Sequence, residues 1–380
     1  MKFFHISDLH LGKRVNEFPM LEDQRHILAE IVCLAEEERP NAVLIAGDVY
    51  DRSVPGVEAV QLLDQFLVRL STLGIAVFMI AGNHDSAERV AFASALLAQS
   101  NVHISQVYAG ALSPVTLRDE HGPLHVWLLP YLKPATVRHY FEDREIASYS
   151  DALAAALEAI DVDASGRNVL VAHQFVTGAV TSESEELYVG GSENVDASLF
   201  AAFDYVALGH IHRPQMIERE TLRYSGTPLK YSFSEVNHKK SVTVVEMGGK
   251  GDIVITERPL TPLRDMRELR GTYAELTSRQ NYINTNTDDY LHVMLTDEEE
   301  EPNAMIKLRS IYPNLMRLEY DNKRTRTSAF AERAVGLGGD KKTPMEFFGE
   351  LYEAQNGQPM SEQQVEYARR IFESIEEATA

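Results

Sequence analysis

The sequence predicts an α/β protein: a layered first domain in which a β-sandwich is flanked by helices, then a small α+β domain and a helical tail. Three observations predict it. Short apolar runs of strand length alternate with segments of helical spacing through the first two-thirds of the chain. Most of those runs end directly in Asp, Asn or His, which places the polar clusters at one edge of a sheet. After Pro259-Leu260-Thr261-Pro262 the composition shifts, and the chain closes on two helix-start signatures.

Taken in order, residues 1–7 are a short apolar and aromatic run that reads as a buried strand ending in Asp8-Leu9-His10-Leu11-Gly12. In extended chain, positions i and i+2 share a face, so Asp8 and His10 can converge on one ion. Alone the pair is weak, because Asp-x-His also occurs in plain solvated loops. Residues 24–38 carry Ile27, Leu28, Ile31, Leu34 and Ala35 at helical spacing and stop at Arg39-Pro40-Asn41. The run Ala42-Val43-Leu44-Ile45-Ala46 reads as a strand buried on both faces, feeding Gly47-Asp48-Val49-Tyr50-Asp51. A helix over 57–70 and a strand over 75–81 precede Gly82-Asn83-His84-Asp85. Strands over 126–129, 168–172 and 204–208 follow; the second runs into His173 and the third into Gly209-His210-Ile211-His212. A hairpin over 241–257, turning at Gly248-Gly249-Lys250-Gly251, closes the first domain.

These signals divide the chain into a layered domain (1–260), an α+β domain (261–322), a linker (323–342) and a helical tail (343–380). The α+β domain reads strand, helix, strand, helix, strand over 267–271, 273–279, 290–295, 303–312 and 315–320, with the acidic run 297–301 as a solvated loop. The linker contains Gly336-Leu337-Gly338-Gly339. In the tail, Thr343-Pro344-Met345-Glu346 and Ser361-Glu362-Gln363-Gln364 have capping-box spacing, and Val365, Ala368, Phe372 and Ile375 form a narrow apolar seam. The seam either packs within the chain or docks a partner helix. A short helix pair after a flexible linker has little core of its own, which favours a partner.

Composition narrows the function. With 380 residues, 44% hydrophobic and 24% charged, the chain has the balance of an ordinary globular protein with room for two or three cores. No apolar run is long enough to span a bilayer, and the first one breaks at His5 and Asp8 instead of forming a signal peptide, which predicts a cytoplasmic protein. The single cysteine, Cys33, excludes an intrachain disulfide and argues against thiolate metal sites; its apolar neighbours predict a small buried residue. A net charge of -21 argues against a strong unaided grip on nucleic acid. It does not argue against cutting it, since divalent cations and a basic partner subunit both offset the repulsion.

Collected together, the strand-end residues Asp8, His10, Asp48, Asn83, His173, His210 and His212 are a complete ligand set for two metals. Hard oxygens mixed with imidazoles suit Mn²⁺, Fe²⁺ or Zn²⁺. One carboxylate must lie between two such ions, and Asp48 is the best placed; Asp8, His10 and His212 then hold one ion, and Asn83, His173 and His210 the other. His5, His26, His103, His121, His125, His139, His238 and His292 lack partner spacing and read as ordinary surface or packed residues.

Asp-x-His, Gly-Asp, Gly-Asn-His-Asp, a lone His and Gly-His-x-His occur here in the order found in the calcineurin-like metallophosphoesterase superfamily, which the chain resembles over about its first two-thirds. Residues 2–12, 204–214 and 224–233 look more specifically like the nucleases that process DNA double-strand breaks in recombination and repair. That resemblance implies a phosphoesterase domain, a capping domain and a tail binding a coiled-coil ATPase. It implies 3′–5′ exonuclease and endonuclease action on double-strand ends and hairpins, two divalent cations (Mn²⁺ above others) and a homodimer, with 57–70 and 89–99 as candidate surfaces. It makes His84 the histidine beside the scissile phosphate that ligates no metal. Asp51 stands where archaeal and eukaryotic relatives carry a second histidine, and either orients a neighbour or is a plain loop residue. Asp85 either fixes the His84 tautomer or caps a turn.

Two rival functions follow from the same residues. One is a phosphoesterase of small molecules or phosphoproteins, which turnover of small esters against DNA ends separates. The other is a non-catalytic scaffold of the same fold, which the unbroken ligand set opposes and metal analysis decides.

Overall fold

The computed structural model describes residues 1–185, 193–323, 325, 344–356, 358–361, 363–365, 367 and 368. The chain divides into two compact units, Met1–Asp265 and Met266–Ala380.

The first unit is a sandwich of two six-stranded sheets. One contains β1 (Lys2–Ile6), β4 (Ala42–Ala46), β5 (Ala76–Ile80), β6 (Val102–Ile104), β13 (Ser241–Met247) and β14 (Ile253–Pro259), in the order β14-β13-β1-β4-β5-β6. The other contains β7 (Val115–Asp119), β8 (Gly122–Leu129), β9 (Arg167–His173), β10 (Tyr205–Gly209), β11 (Gln215–Ile217) and β12 (Arg219–Tyr224), in the order β11-β12-β10-β9-β8-β7. A small ladder of β2 (Arg14–Val15) with β3 (Phe18–Pro19) lies between β1 and the first helix. β1, β4, β5 and β6 run parallel, as do β8, β9, β10 and β12. Each parallel set therefore delivers its carboxyl-terminal loops to one edge.

Strand alternation explains the core. Ala42, Leu44 and Ala46 of β4 face Val169, Val171, Tyr205 and Ala207 of the other sheet. The intervening Val43 and Ile45 are also fully buried, on the opposite face, which is why β4 reads as an unbroken apolar run. α1 (Leu21–Glu38) buries Ile27, Leu28, Ile31, Val32 and Ala35, and ends where Arg39 turns left-handed (φ 52°) before Pro40. Cys33 corrects an expectation: it is exposed, because the buried positions at 28, 31, 32 and 35 leave residue 33 off the apolar stripe. α2 (Val57–Thr72) buries Ala59, Leu62, Leu63, Phe66 and Leu70.

His5 is a satisfied core histidine. Its Nδ1 lies 2.8 Å from Tyr205 Oη and its Nε2 3.1 Å from the Leu208 carbonyl, and burial lowers its pKa to about 3, keeping it neutral.

The second unit has a parallel sheet of β15 (Met266–Gly271), β16 (Tyr290–Leu295) and β17 (Leu315–Tyr320). Leu276, Leu291, Val293, Leu295, Ala304, Leu308, Tyr312 and Leu315 form its core. The helix expected over 273–279 is two short ones, Tyr273–Thr277 and Arg279–Tyr282, because Ser278 takes an extended conformation (ψ 123°). A helix spans Pro344–Asn356. Ser361 and Gln364 form both bonds of a capping box, Ser361 N–H to Gln364 Oε1 at 2.8 Å and Gln364 N–H to Ser361 Oγ at 3.4 Å. Thr343, Phe372 and Ile375, and nearly all of the expected linker, lie outside the described residues. No described helix is long and apolar enough to cross a membrane.

Candidate metal centre

The centre forms where the carboxyl-terminal loops of the two sheets meet. The loop after β1 is laced to the loop after β4 by backbone bonds: Asp8 N–H to Gly47 O (3.0 Å), His10 N–H to Asp48 O (2.9 Å) and Leu11 N–H to Val49 O (2.9 Å). The two sheets are pinned at the same level, with His173 Nδ1 2.8 Å from the Ala46 carbonyl. The approach is close enough that residue 209 must be glycine: a Cβ there would collide with the Ala46 carbonyl oxygen and the His173 ring.

Four of the strand-end residues sit on left-handed backbone: Asp8 (φ 53°), His10 (φ 44°), Asp48 (φ 48°) and His210 (φ 103°). For residues with a Cβ this costs of order 1–3 kcal/mol each. A single fully buried aliphatic or aromatic side chain returns about as much, so the sandwich core beneath can hold these loops in place.

Side chains converge from every loop. Ligand atoms of Asp8, His10 and His212 lie within 4.8 Å of one another, as do those of Asp8, Asp48 and His173. Asn83 Oδ1 is 2.9 Å from His173 Nε2 and 3.0 Å from His210 Nδ1, and His10 Nε2 is 3.2 Å from His212 Nε2. Asp48 Oδ2 is 3.4 Å from His173 Nε2 and 3.7 Å from His10 Nε2, between the two groups. All seven residues read as ligands from the sequence thus meet in one largely buried cluster.

Its electrostatics ask for cations. Burial pushes the Asp8 carboxyl up to about 6 against the pull of His173 and His212, and lowers His210 to about 3 with help from His173. His173 goes the other way, to about 9: burial lowers it, but the Asp48 carboxylate beside it overcomes that effect. Buried His10 Nδ1 and His210 Nε2 have no hydrogen-bond partner among the described residues. Carboxylates and imidazoles this crowded, with ring nitrogens turned towards one another, fit two divalent cations of the oxygen-and-nitrogen-seeking kind.

His84 stands beside the cluster, its ring 4.8 Å from that of His10 and at right angles to it. Its backbone N–H donates to Asp48 Oδ1 (2.9 Å), and its Nδ1 lies 3.2 Å from the Asp51 carbonyl oxygen. The Asp51 carboxylate pairs with Lys13 Nζ at 2.7 Å. Asp85 staples the loops: its carboxylate accepts from the N–H groups of Gly82, Val49 and Tyr50 at 2.9–3.0 Å. Its partners are backbone groups, the turn-capping arrangement, and the His84 tautomer is met by Asp51 O instead.

Several residues of the surroundings escape sequence reasoning. Gln24 Nε2 donates to the His10 carbonyl (2.7 Å) and to Tyr231 Oη (3.0 Å), and Tyr231 Oη donates to Leu9 O (2.6 Å). Tyr131 stacks on His210 and donates to Glu193 Oε1 (2.7 Å). Ser184, Glu235 and Lys240 lie behind His212. Tyr231 falls in the stretch 224–233 and Gln24 opens the helix read over 24–38, but neither spacing marks them as neighbours of the site.

Residues 1–214 match the calcineurin-like phosphoesterase family, and residues 262–356 match a family described as the type 5 capsule protein repressor C-terminal domain. A protein of Staphylococcus epidermidis, the D subunit of the nuclease SbcCD, is 36% identical over 322 residues, covering 84% of this chain and 85% of that one. Among solved structures, a dimetal phosphatase from Danio rerio aligns over 68% of this chain and 96% of its own at 11% identity, with a TM-score of 0.38. A Thermus thermophilus protein aligns over 67% and 98% at 10% identity, with a TM-score of 0.36.

Proposed function

The chain belongs to the calcineurin-like phosphoesterases, and among them to the family of the SbcCD nuclease D subunits; on that premise we propose that it is a two-metal DNA nuclease working as the D subunit of an SbcCD-type complex. The observation that carries this reading is the convergence of Asp8, His10, Asp48, Asn83, His173, His210 and His212 at the joined ends of two sheets. Asp8, His10, Asp48 and His212 would hold one cation, and Asp48, Asn83, His173 and His210 the other, with manganese the ion of choice. Bound there, two divalent cations neutralise a phosphodiester and bring the pKa of water towards neutrality.

The chain's own residues supply the rest. As an imidazolium, His84 would give one N–H to the Asp51 carbonyl and turn the other, on Nε2, towards the cluster, where Nε2 already lies 3.9 Å from Asp48 Oδ2. That N–H can stabilise charge on a phosphoryl oxygen or protonate the leaving oxygen. Asp48 positions His84 through its backbone, and Asp51 orients its ring.

In this reading residues 1–260 are the nuclease domain, 261–322 the capping domain, 323–342 a linker and 343–380 a helical tail that binds the coiled-coil ATPase. The substrates are double-strand ends and hairpins, cut by 3′–5′ exonuclease and endonuclease action in DNA repair and recombination. A second copy would pack against α2 and the segment 89–99, where Val57, Phe92 and Leu96 are 71%, 80% and 69% exposed beside a groove of about 410 Å³.

The test is cleavage of radiolabelled duplex ends and hairpins with Mn²⁺, with and without the ATPase and ATP, alongside p-nitrophenyl phosphodiesters. Turnover of the small esters with intact DNA under every condition would transfer the protein to the small-molecule phosphoesterases. Failure to take up metal would leave only a scaffold.

A further inference from the structure

Behind His212, on the side of the ring away from the cluster, lies a buried acid–base pair that the proposed chemistry does not use. Glu235 is fully buried, and its Oε2 accepts from Lys240 Nζ at 2.5 Å. Lys240 Nζ also donates to Thr227 Oγ1 (2.6 Å) and to the His212 carbonyl (2.9 Å). Glu235 Oε1 lies 3.3 Å from His212 Nδ1. Ser184 Oγ lies 2.8 Å from the same nitrogen and donates onward to Glu235 Oε1 at 2.5 Å. Glu185 completes the grip by accepting the His212 backbone N–H at 2.8 Å.

The direction of these bonds follows from the chemistry of the groups. Lys240 Nζ can only donate, and it pairs with Glu235 Oε2 while the Ser184 hydroxyl donates to Oε1, so both oxygens of Glu235 are acceptors of a carboxylate. An ionised carboxylate only accepts. Whether His212 Nδ1 reaches Glu235 directly or through the Ser184 hydroxyl, the proton must then sit on Nδ1, and the lone pair on Nε2. Nε2 is the nitrogen that faces His10 Nε2 among the proposed ligands, at 3.2 Å. A buried ion pair is also a poor way to gain stability, because an apolar pair of similar volume usually does as well or better. Its placement against one ligand nitrogen gives it a different purpose.

We propose that Glu235, anchored by Lys240, is a positioning residue of the metal centre: it sets the Nδ1–H tautomer of His212 and so presents Nε2 to a divalent cation. The proposal rests on the two-metal reading of the cluster. A carboxylate behind an imidazole ligand fixes the ring and makes it a stronger donor, and losing such a partner costs about 10- to 100-fold in metal affinity. His173 receives the same service from a neutral partner, the Ala46 carbonyl.

Two triple variants of the full chain separate positioning from packing, each carrying Ser184→Ala so that the hydroxyl cannot substitute. Glu235→Gln with Lys240→Met removes both charges but keeps an acceptor for His212; Glu235→Leu with Lys240→Met removes the acceptor too. Calorimetric titration with Mn²⁺ should find the Gln variant within about threefold of the chain carrying Ser184→Ala alone, and the Leu variant about 10- to 100-fold weaker for one of two cations. Equal losses in both, or none in either, would overturn the proposal. Nitrogen NMR of selectively labelled histidines in the metal-free wild type gives a readout that needs no variant to fold: His212 should be the Nδ1–H tautomer, and the Nε2–H form would overturn the assignment. If the wild type takes up no Mn²⁺ while His212 is still Nδ1–H, the two-metal reading fails and the orienting role of Glu235 stands without a cation to serve.

Discussion

The backbone N–H of His84 donates to Asp48 Oδ1 at 2.9 Å. The residue proposed to lie between two cations therefore also holds the residue proposed to act on the phosphate. Substitutions at these two positions should separate metal binding from turnover in one direction only.

His84→Ala removes the ring while leaving the backbone N–H on Asp48. Metal content should stay at two per chain by elemental analysis, with kcat on DNA ends down about 10²–10⁴-fold. Asp48→Ala should lose metal and turnover together. Normal kcat in the His84 variant removes its proposed role.

Gly209→Ala should damage stability and activity at once. The added Cβ meets the Ala46 carbonyl and the His173 ring, so the sheets must separate or His173 must turn. Overpacking of this kind costs about 1–3 kcal/mol. A thermal melt should show Tm lowered by several degrees, and Mn²⁺ titration a weakened second site.

Acid should dissolve one anchor of the sandwich far from the centre. Arg167 grips Asp119 with Nη1 at 3.0 Å and Nη2 at 2.5 Å, holding its carboxyl well below the usual carboxylate range. Because the folded pKa is depressed, the stabilisation is complete above the unfolded value of about 3.9 and fades as pH falls through the folded value. Asp119→Asn should cost about 1–3 kcal/mol at pH 7. Urea melts of variant and wild type should converge as the pH drops below about 3.9.

Phe92→Asp should hold the protein as a monomer in light scattering if the apolar face beside α2 joins two copies. Phe92 is exposed, so folding should be unaffected and the thermal melt unchanged within about 0.5 kcal/mol. A dimer that survives this change uses another surface.

The ligand set was legible because each member follows a strand whose apolar run is unmistakable, as Ala42 to Ala46 leads into Asp48 and Asn168 to Ala172 into His173. The layers were legible for the same reason. β7, β11 and β12 were not, since they are half-exposed strands with few apolar residues: Val115–Asp119 alternates along its length but has only Val115 and Leu117 to mark it. The helix Tyr149–Glu158 does carry a mark in the chain, the capping box of Ser148 with Asp151. Ser184, Glu235 and Lys240 had none: their meaning lies in what they touch across the fold, with no spacing in the chain to mark it. Cys33 shows the limit of reading neighbours, because apolar residues on both sides do not say which way a helical side chain points.

The left-handed backbone at Asp8, His10, Asp48 and His210 has an evolutionary corollary. Glycine or asparagine would relieve the torsion at each position, so a laboratory lineage chosen only for heat resistance should drift towards them. Such a lineage would grow hardier as it lost its chemistry, and the codons at these four positions would record whether function had been under selection.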